Sequence, residues 1–137
     1  MTGSRRVTYP LRPDSVDIKG FVAVLADAAG LSASQCYWLH LAVDEIVTNI
    51  GMHGYNGGPG VAELRGRVRR GAVCIRILDD APPFDPRSYD RYERLAQSPA
   101  EREPGGFGLL LAQARLDSFD YRYERGRNCN VLIMRRR

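Results

Sequence analysis

The chain has 137 residues, 44% of them hydrophobic and 26% charged, with a formal net charge of +4. A domain of this length buries about two-thirds of its unfolded surface, enough for a core without disulfide or metal staples. No apolar run approaches the roughly 18 residues of a membrane helix. Met1 to Pro10 leads into no apolar stretch of the kind a secretory signal carries, so a single cytoplasmic domain is expected.

Arg5–Tyr9 reads as a first strand, stopped by Pro10 and Pro13. Asp14 or Ser15 is placed to cap a helix whose apolar positions Val16, Phe21, Val22, Leu25 and Ala29 run to Gly30. Ser32 or Ser34 caps the next. Within it, Leu39, Ala42, Val43, Ile46, Val47 and Ile50 recur at helical spacing, and the turn-rich run from Gly54 to Gly60 ends it.

Two strands follow, Val61–Arg69 and Ala72–Leu78, joined by a turn at Arg70-Gly71. Nineteen of the 20 basic residues are arginine. Apart from the terminal Arg135–Arg137, their densest group is Arg65, Arg67, Arg69 and Arg70, which alternates along the first of these strands as a solvated sheet face does. A nucleic-acid-binding domain, which needs clustered basic residues, is therefore the weaker reading. Cys36, Cys74 and Cys129 form no C-x-x-C pair, and His40 and His53 lack metal-ligand spacing, so no zinc site is expected. Cys74, inside an apolar run, reads as a small core residue.

Residues 80–104, rich in Pro, Arg, Asp and Glu, read as a long loop, and such loops in small domains are commonly functional. Gly105-Gly106-Phe107-Gly108 then opens a helix through Leu116, and strands Ser118–Glu124 and Asn130–Met134 flank a turn at Gly126. The order β-α-α-β-β-loop-α-β-β predicts an α/β (α+β) two-layer sandwich. Its sheet is expected to be mixed but mostly antiparallel, covered on one face by about three helices.

Three constellations carry chemistry. Glu45, Asn49 and His53, four apart, share one edge of the second helix beside its apolar stripe. A carboxylate there can act as a general base, and an asparagine carbonyl is a hard neutral ligand for Mg²⁺ carrying phosphates. Asp79 ends a strand and can accept a hydrogen bond from an exocyclic amine, or else make an Asx turn. Gly105, Gly106 and Gly108 offer backbone N–H groups at a helix N-terminus, an arrangement suited to phosphate. Taken singly, each has a plain structural explanation; taken in this order they reinforce one another.

Leu41–Tyr55, with Glu45, Asn49 and His53, resembles the N box of the GHKL ATPase superfamily, in its branch of anti-sigma-factor serine kinases. Ile77–Pro86 resembles that branch's first glycine box, and Gly105–Leu111 its second, with Leu116–Tyr121 as a similar continuation. The resemblance spans essentially all of residues 1–137 as one ATP-binding kinase-like domain. It implies an ATP and Mg²⁺ site under a short lid at about residues 87–104. Glu45 would be the catalytic base or orienting carboxylate, Asn49 the Mg²⁺ ligand, and Asp79 the reader of adenine. His53, Ala81, Gly105, Gly106, Phe107 and Gly108 would complete the nucleotide contacts.

The family phosphorylates a serine on a STAS-domain anti-anti-sigma partner and sequesters a sigma factor, typically as a homodimer. Neither nucleic acid nor membrane is an expected direct partner. Phosphoryl transfer needs mostly positioning and charge neutralisation, which this small residue set can supply. The alternative is an ATP-binding partner-switching module with little or no kinase turnover. A histidine-kinase domain is disfavoured, since no phosphoacceptor helix precedes the first strand. The chain departs from the family pattern at two places. Ala81 stands where the first box usually has glycine, which would be costly if the position needs positive φ or a close approach of adenine. Relatives often carry threonine where Asn128-Cys129-Asn130 stand.

Overall fold

The computed structural model describes residues 3–10, 17–51, 60–86 and 111–137. Five strands and two complete helices lie within them: β1 (Gly3–Pro10), α1 (Ile18–Ala29), α2 (Ala33–Asn49), β2 (Val61–Arg69), β3 (Ala72–Asp79), β4 (Ser118–Glu124) and β5 (Arg127–Arg135). Residues 111–113 belong to a third helix. The strands form one sheet in the order β1-β2-β3-β5-β4. Every pairing among the described strands is antiparallel. The result is the expected α/β sandwich of a GHKL-like ATPase fold, with the helices on one face. No helix among the described residues is long and apolar enough to cross a membrane.

Helix α1 is capped by Asp17, not by Asp14 or Ser15, which lie outside the described residues: Asp17 Oδ1 accepts from Gly20 N at 2.8 Å. An N-cap side chain accepts from the N–H two or three residues on, and Gly20 is three residues after Asp17. Helix α2 begins with a reciprocal capping box. Gln35 N donates to Ser32 Oγ and Ser32 N donates to Gln35 Oε1, both at 3.1 Å. Its predicted stripe from Leu39 to Ile50 is buried at all six positions. The helix ends at Asn49, ahead of the glycine-rich segment, and runs into a wider turn at Ile50–Gly51.

Both hairpins turn on two positive-φ residues, Arg70 (50°) with Gly71 (74°) and Arg125 (54°) with Gly126 (75°). That geometry matches the right-handed twist of the flanking strands, and glycine at the second position takes it without strain. Strand β5 starts earlier than its propensity indicates. Asn128 and Asn130 are poor strand formers, but they pair with Asp79 and Ile77 of β3, and tertiary register overrides propensity.

The register sorts every strand residue to a face. Toward the helices point Leu64 and Val68 of β2, Val73, Ile75 and Ile77 of β3, and Leu132 and Met134 of β5, all buried against Phe21, Leu25, Leu39, Val43 and Ile46. Helix α1 rests directly on β2 at Gly66, where an added Cβ would come within 2.3 Å of Leu25 Cδ1 and 2.9 Å of Phe21 Cζ.

The opposite face carries Arg6, Arg65 and Arg76 in one cross-strand row and Arg67, Cys74 and Ile133 in the next, so Arg65 and Arg67 lie on the solvated face as expected. Cys74 is not a core residue. It is half-buried on this outer face, because an apolar run in a strand does not say which side each residue takes until the register is set.

Candidate functional site

The site grows from the end of β3. Val73, Ile75, Ile77 and Asp79 alternate onto the core face, so the period-2 geometry that buries three aliphatic residues also buries a carboxylate. Asp79 is 1% exposed. Its Oδ1 accepts two hydrogen bonds, from Ala81 N and from Asn128 Nδ2, each at 2.9 Å. The first is the Asx turn that a strand-end aspartate favours, so this structural role and a binding role coexist in one side chain. Its Oδ2 is buried and has no partner among the described residues. Orphaned buried acceptors are rare and call for a ligand, water or ion.

Asn128, directly opposite on β5 and 2% exposed, is the hub of the surrounding network. Besides Asp79, its Nδ2 donates to the carbonyls of Ala81 at 3.0 Å and Pro82 at 3.2 Å. Its Oδ1 accepts from Phe84 N at 3.0 Å and from the Tyr121 hydroxyl of β4. The same Phe84 N–H also reaches the Tyr121 oxygen at 3.1 Å. Donors on one side and acceptors on the other leave the amide a single sensible orientation. Two residues along β5, on the same face, Asn130 is 1% exposed and its Oδ1 also lacks a partner among the described residues.

Burial pushes the Asp79 carboxyl above its ordinary range, and the neighbouring Asp80 adds to the rise. The Asn128 amide, the Ala81 N–H and the Arg127 charge pull against it. The site therefore holds a desolvated carboxylate with one oxygen occupied and one open among the described residues, an acceptor to which a ligand N–H can donate.

Ala81 is 2% exposed and shares the turn with Asp79. The positive-φ non-glycine residues among those described are Arg70 and Arg125, so the backbone at Ala81 does not need glycine and the conformational part of the expected cost does not arise. In the helical layer, Glu45 and Asn49 are both half-buried, four residues apart beside the buried stripe of α2. The remaining candidates His53, Gly105, Gly106, Phe107 and Gly108, and the lid at 87–104, lie outside the described residues.

Asn128 and Tyr121 were not singled out as site residues from the sequence. A usable signal was present, since the alternation Asn128, Asn130, Leu132, Met134 places two amides on a face whose other members are apolar.

An antiparallel sheet under helices thus carries a buried strand-end carboxylate with one oxygen open among the described residues. Residues 9–136 match the family model of the histidine kinase-like ATPase domain, and the chain belongs to that family. It is also 32% identical over 98 residues to the serine/threonine-protein kinase BtrW of Bordetella bronchiseptica, an alignment covering 71% of this chain and 68% of that protein. The GHKL resemblance read from the three boxes stands.

Proposed function

We propose that this domain is an ATP-dependent serine kinase of the anti-sigma type, acting with Mg²⁺ on a STAS-domain anti-anti-sigma protein and sequestering a sigma factor in the cytoplasm as a homodimer. The observation that carries the nucleotide part is the buried Oδ2 of Asp79, without a partner among the described residues and an acceptor suited to the 6-amino group of adenine. Kinase chemistry draws support from Glu45 and Asn49 together on α2 and from the serine/threonine kinase named as a relative.

In this reading each residue has one task. Asp79 accepts the exocyclic amine and sets the base. Asn49 would hold Mg²⁺, which would supply neutralisation of phosphate charge. Glu45 orients the incoming serine hydroxyl or takes its proton, as the oxygen attacks the γ-phosphorus and the bond from that phosphorus to the departing ADP breaks. Gly105, Gly106 and Gly108 supply N–H groups to the phosphates.

The test is incubation with γ-labelled ATP and candidate STAS proteins. Label should appear on a STAS serine, and Glu45→Ala should abolish transfer while calorimetry shows ATP still bound. Binding without transfer to any STAS protein would instead indicate a partner-switching module without turnover.

A further inference from the structure

If Asp79 is the base reader, a second question follows: what makes it an acceptor of one defined direction? A free carboxylate has two equivalent oxygens, can rotate about its Cβ–Cγ bond, and when buried tends to take up a proton. Protonated, it would present an O–H donor and would suit a 6-oxo purine as well as an unprotonated one suits a 6-amino purine. Discrimination between the two base classes therefore depends on whatever holds Asp79 ionised and fixed.

We propose that Asn128 is the positioning residue that sets this base preference, by occupying Asp79 Oδ1 and leaving Oδ2 as the one open acceptor for a 6-amino purine.

The geometry supports this at every atom of the amide. Nδ2 serves Asp79 Oδ1 at 2.9 Å together with the Ala81 and Pro82 carbonyls, so rotation of the carboxylate would break bonds in a buried cluster. Oδ1 is held by Phe84 N and the Tyr121 hydroxyl, so the amide cannot turn over and present its oxygen to Asp79 without losing both donors. Donation from Nδ2 also favours the ionised, acceptor-only carboxylate against the opposing effect of burial. The role differs from scaffolding alone: a looser loop would weaken all nucleotides alike, whereas loss of this clamp changes which nucleotide is preferred.

The inference rests on the adenine reading proposed above, and the experiment separates the two. ATP and inosine triphosphate share everything except the substituent and protonation at the 6- and 1-positions, so the ratio of their affinities isolates the contact to Asp79. Calorimetry is performed on the wild-type protein, Asn128→Ala and Tyr121→Phe, each with a thermal melt. The wild type should favour ATP by at least about 30-fold, within the range expected when a buried polar group is left unsatisfied. Asn128→Ala should reduce that ratio by about tenfold or more. Tyr121→Phe, which keeps the Asp79 contact but frees one side of the amide, should reduce it by a few-fold.

If the wild type shows no preference for ATP, the adenine reading itself fails, and this inference with it. A preference that is strong in the wild type and unchanged in a folded Asn128→Ala protein overturns the role of Asn128 alone. Should Asn128→Ala not fold, an unchanged ratio in Tyr121→Phe overturns it instead.

Discussion

Glu63 of β2 is 6% exposed and meets Arg6 of β1 at 2.7 Å. Arg65 at 3.0 Å and Arg127 of β5 at 3.6 Å approach the same carboxylate, so one anion ties three strands together on the outer face of the sheet. Burial alone would raise its pKa, but hydrogen bonds and charge from Arg65 and Arg6 outweigh burial and hold it below the usual carboxylate value of 4.5. A carboxyl group more acidic in the folded state stabilises the fold above its unfolded pKa, and that contribution is lost as pH falls through the folded value. Glu63→Gln should therefore lower stability by about 1 kcal/mol at neutral pH, the arginines being solvated enough to keep the cost below that of a fully buried pair. Denaturant melts from pH 7 down to about 3 should show the difference between variant and wild type shrinking across the acid range. A difference that stays constant with pH would contradict the pairing.

At Asp79 the sign reverses. Its pKa is raised by burial, so holding it ionised at neutral pH costs the fold stability. Asp79→Asn keeps an acceptor for Ala81 N and Asn128 Nδ2 while replacing the open oxygen with an N–H donor. Thermal stability without nucleotide should be unchanged or higher, whereas ATP affinity should drop by about 100-fold, since a charged hydrogen bond is lost and a donor faces a donor. Stability and binding moving in opposite directions is the signature to look for in paired melting and calorimetry experiments.

Ala81→Gly tests the one departure within the first glycine box. Because the backbone there does not lie in the left-handed region, glycine gains nothing in the folded state and adds freedom to the unfolded one. The variant should lose about 0.5–1 kcal/mol by chemical denaturation. Its ATP affinity should not improve; a clear gain would show that the methyl group obstructs the base.

Gly66→Ala addresses the seat of α1. The new methyl would press on Leu25 and Phe21, both buried, so the helix must shift or the side chains leave their rotamers. Overpacking of this kind costs about 1–3 kcal/mol. A melting temperature within error of the wild type would mean α1 has slack that the contact distances do not indicate.

Much of this molecule was readable before any coordinates. Strands Val61–Arg69 and Ser118–Glu124 have the bounds that alternation and turn residues predict, and the six-residue stripe of α2 is buried throughout. These are local properties, each contained within a short window of sequence. Other features were out of reach for the same reason. The sequence pointed to Asp14 or Ser15 as the cap of α1, whereas the side chain that accepts from Gly20 N is that of Asp17. Cys74 could be assigned to a strand but not to a face. Asn128 lies 49 residues from Asp79, and nothing local to either predicts their contact.

The sheet order has a consequence for how the site comes into being. β2 with β3, and β4 with β5, are hairpins joined by tight turns, so each can form from neighbouring residues. The seam between β3 and β5 is different, since joining it closes a span of dozens of residues and carries the larger loop-closure cost. Asp79 and Asn128 sit on opposite sides of that seam. Neither hairpin alone holds the Asp79–Asn128 pair; it exists only once the two halves have met. A ligand held by both residues would therefore add its free energy to a long-range junction of the sheet, not to either hairpin.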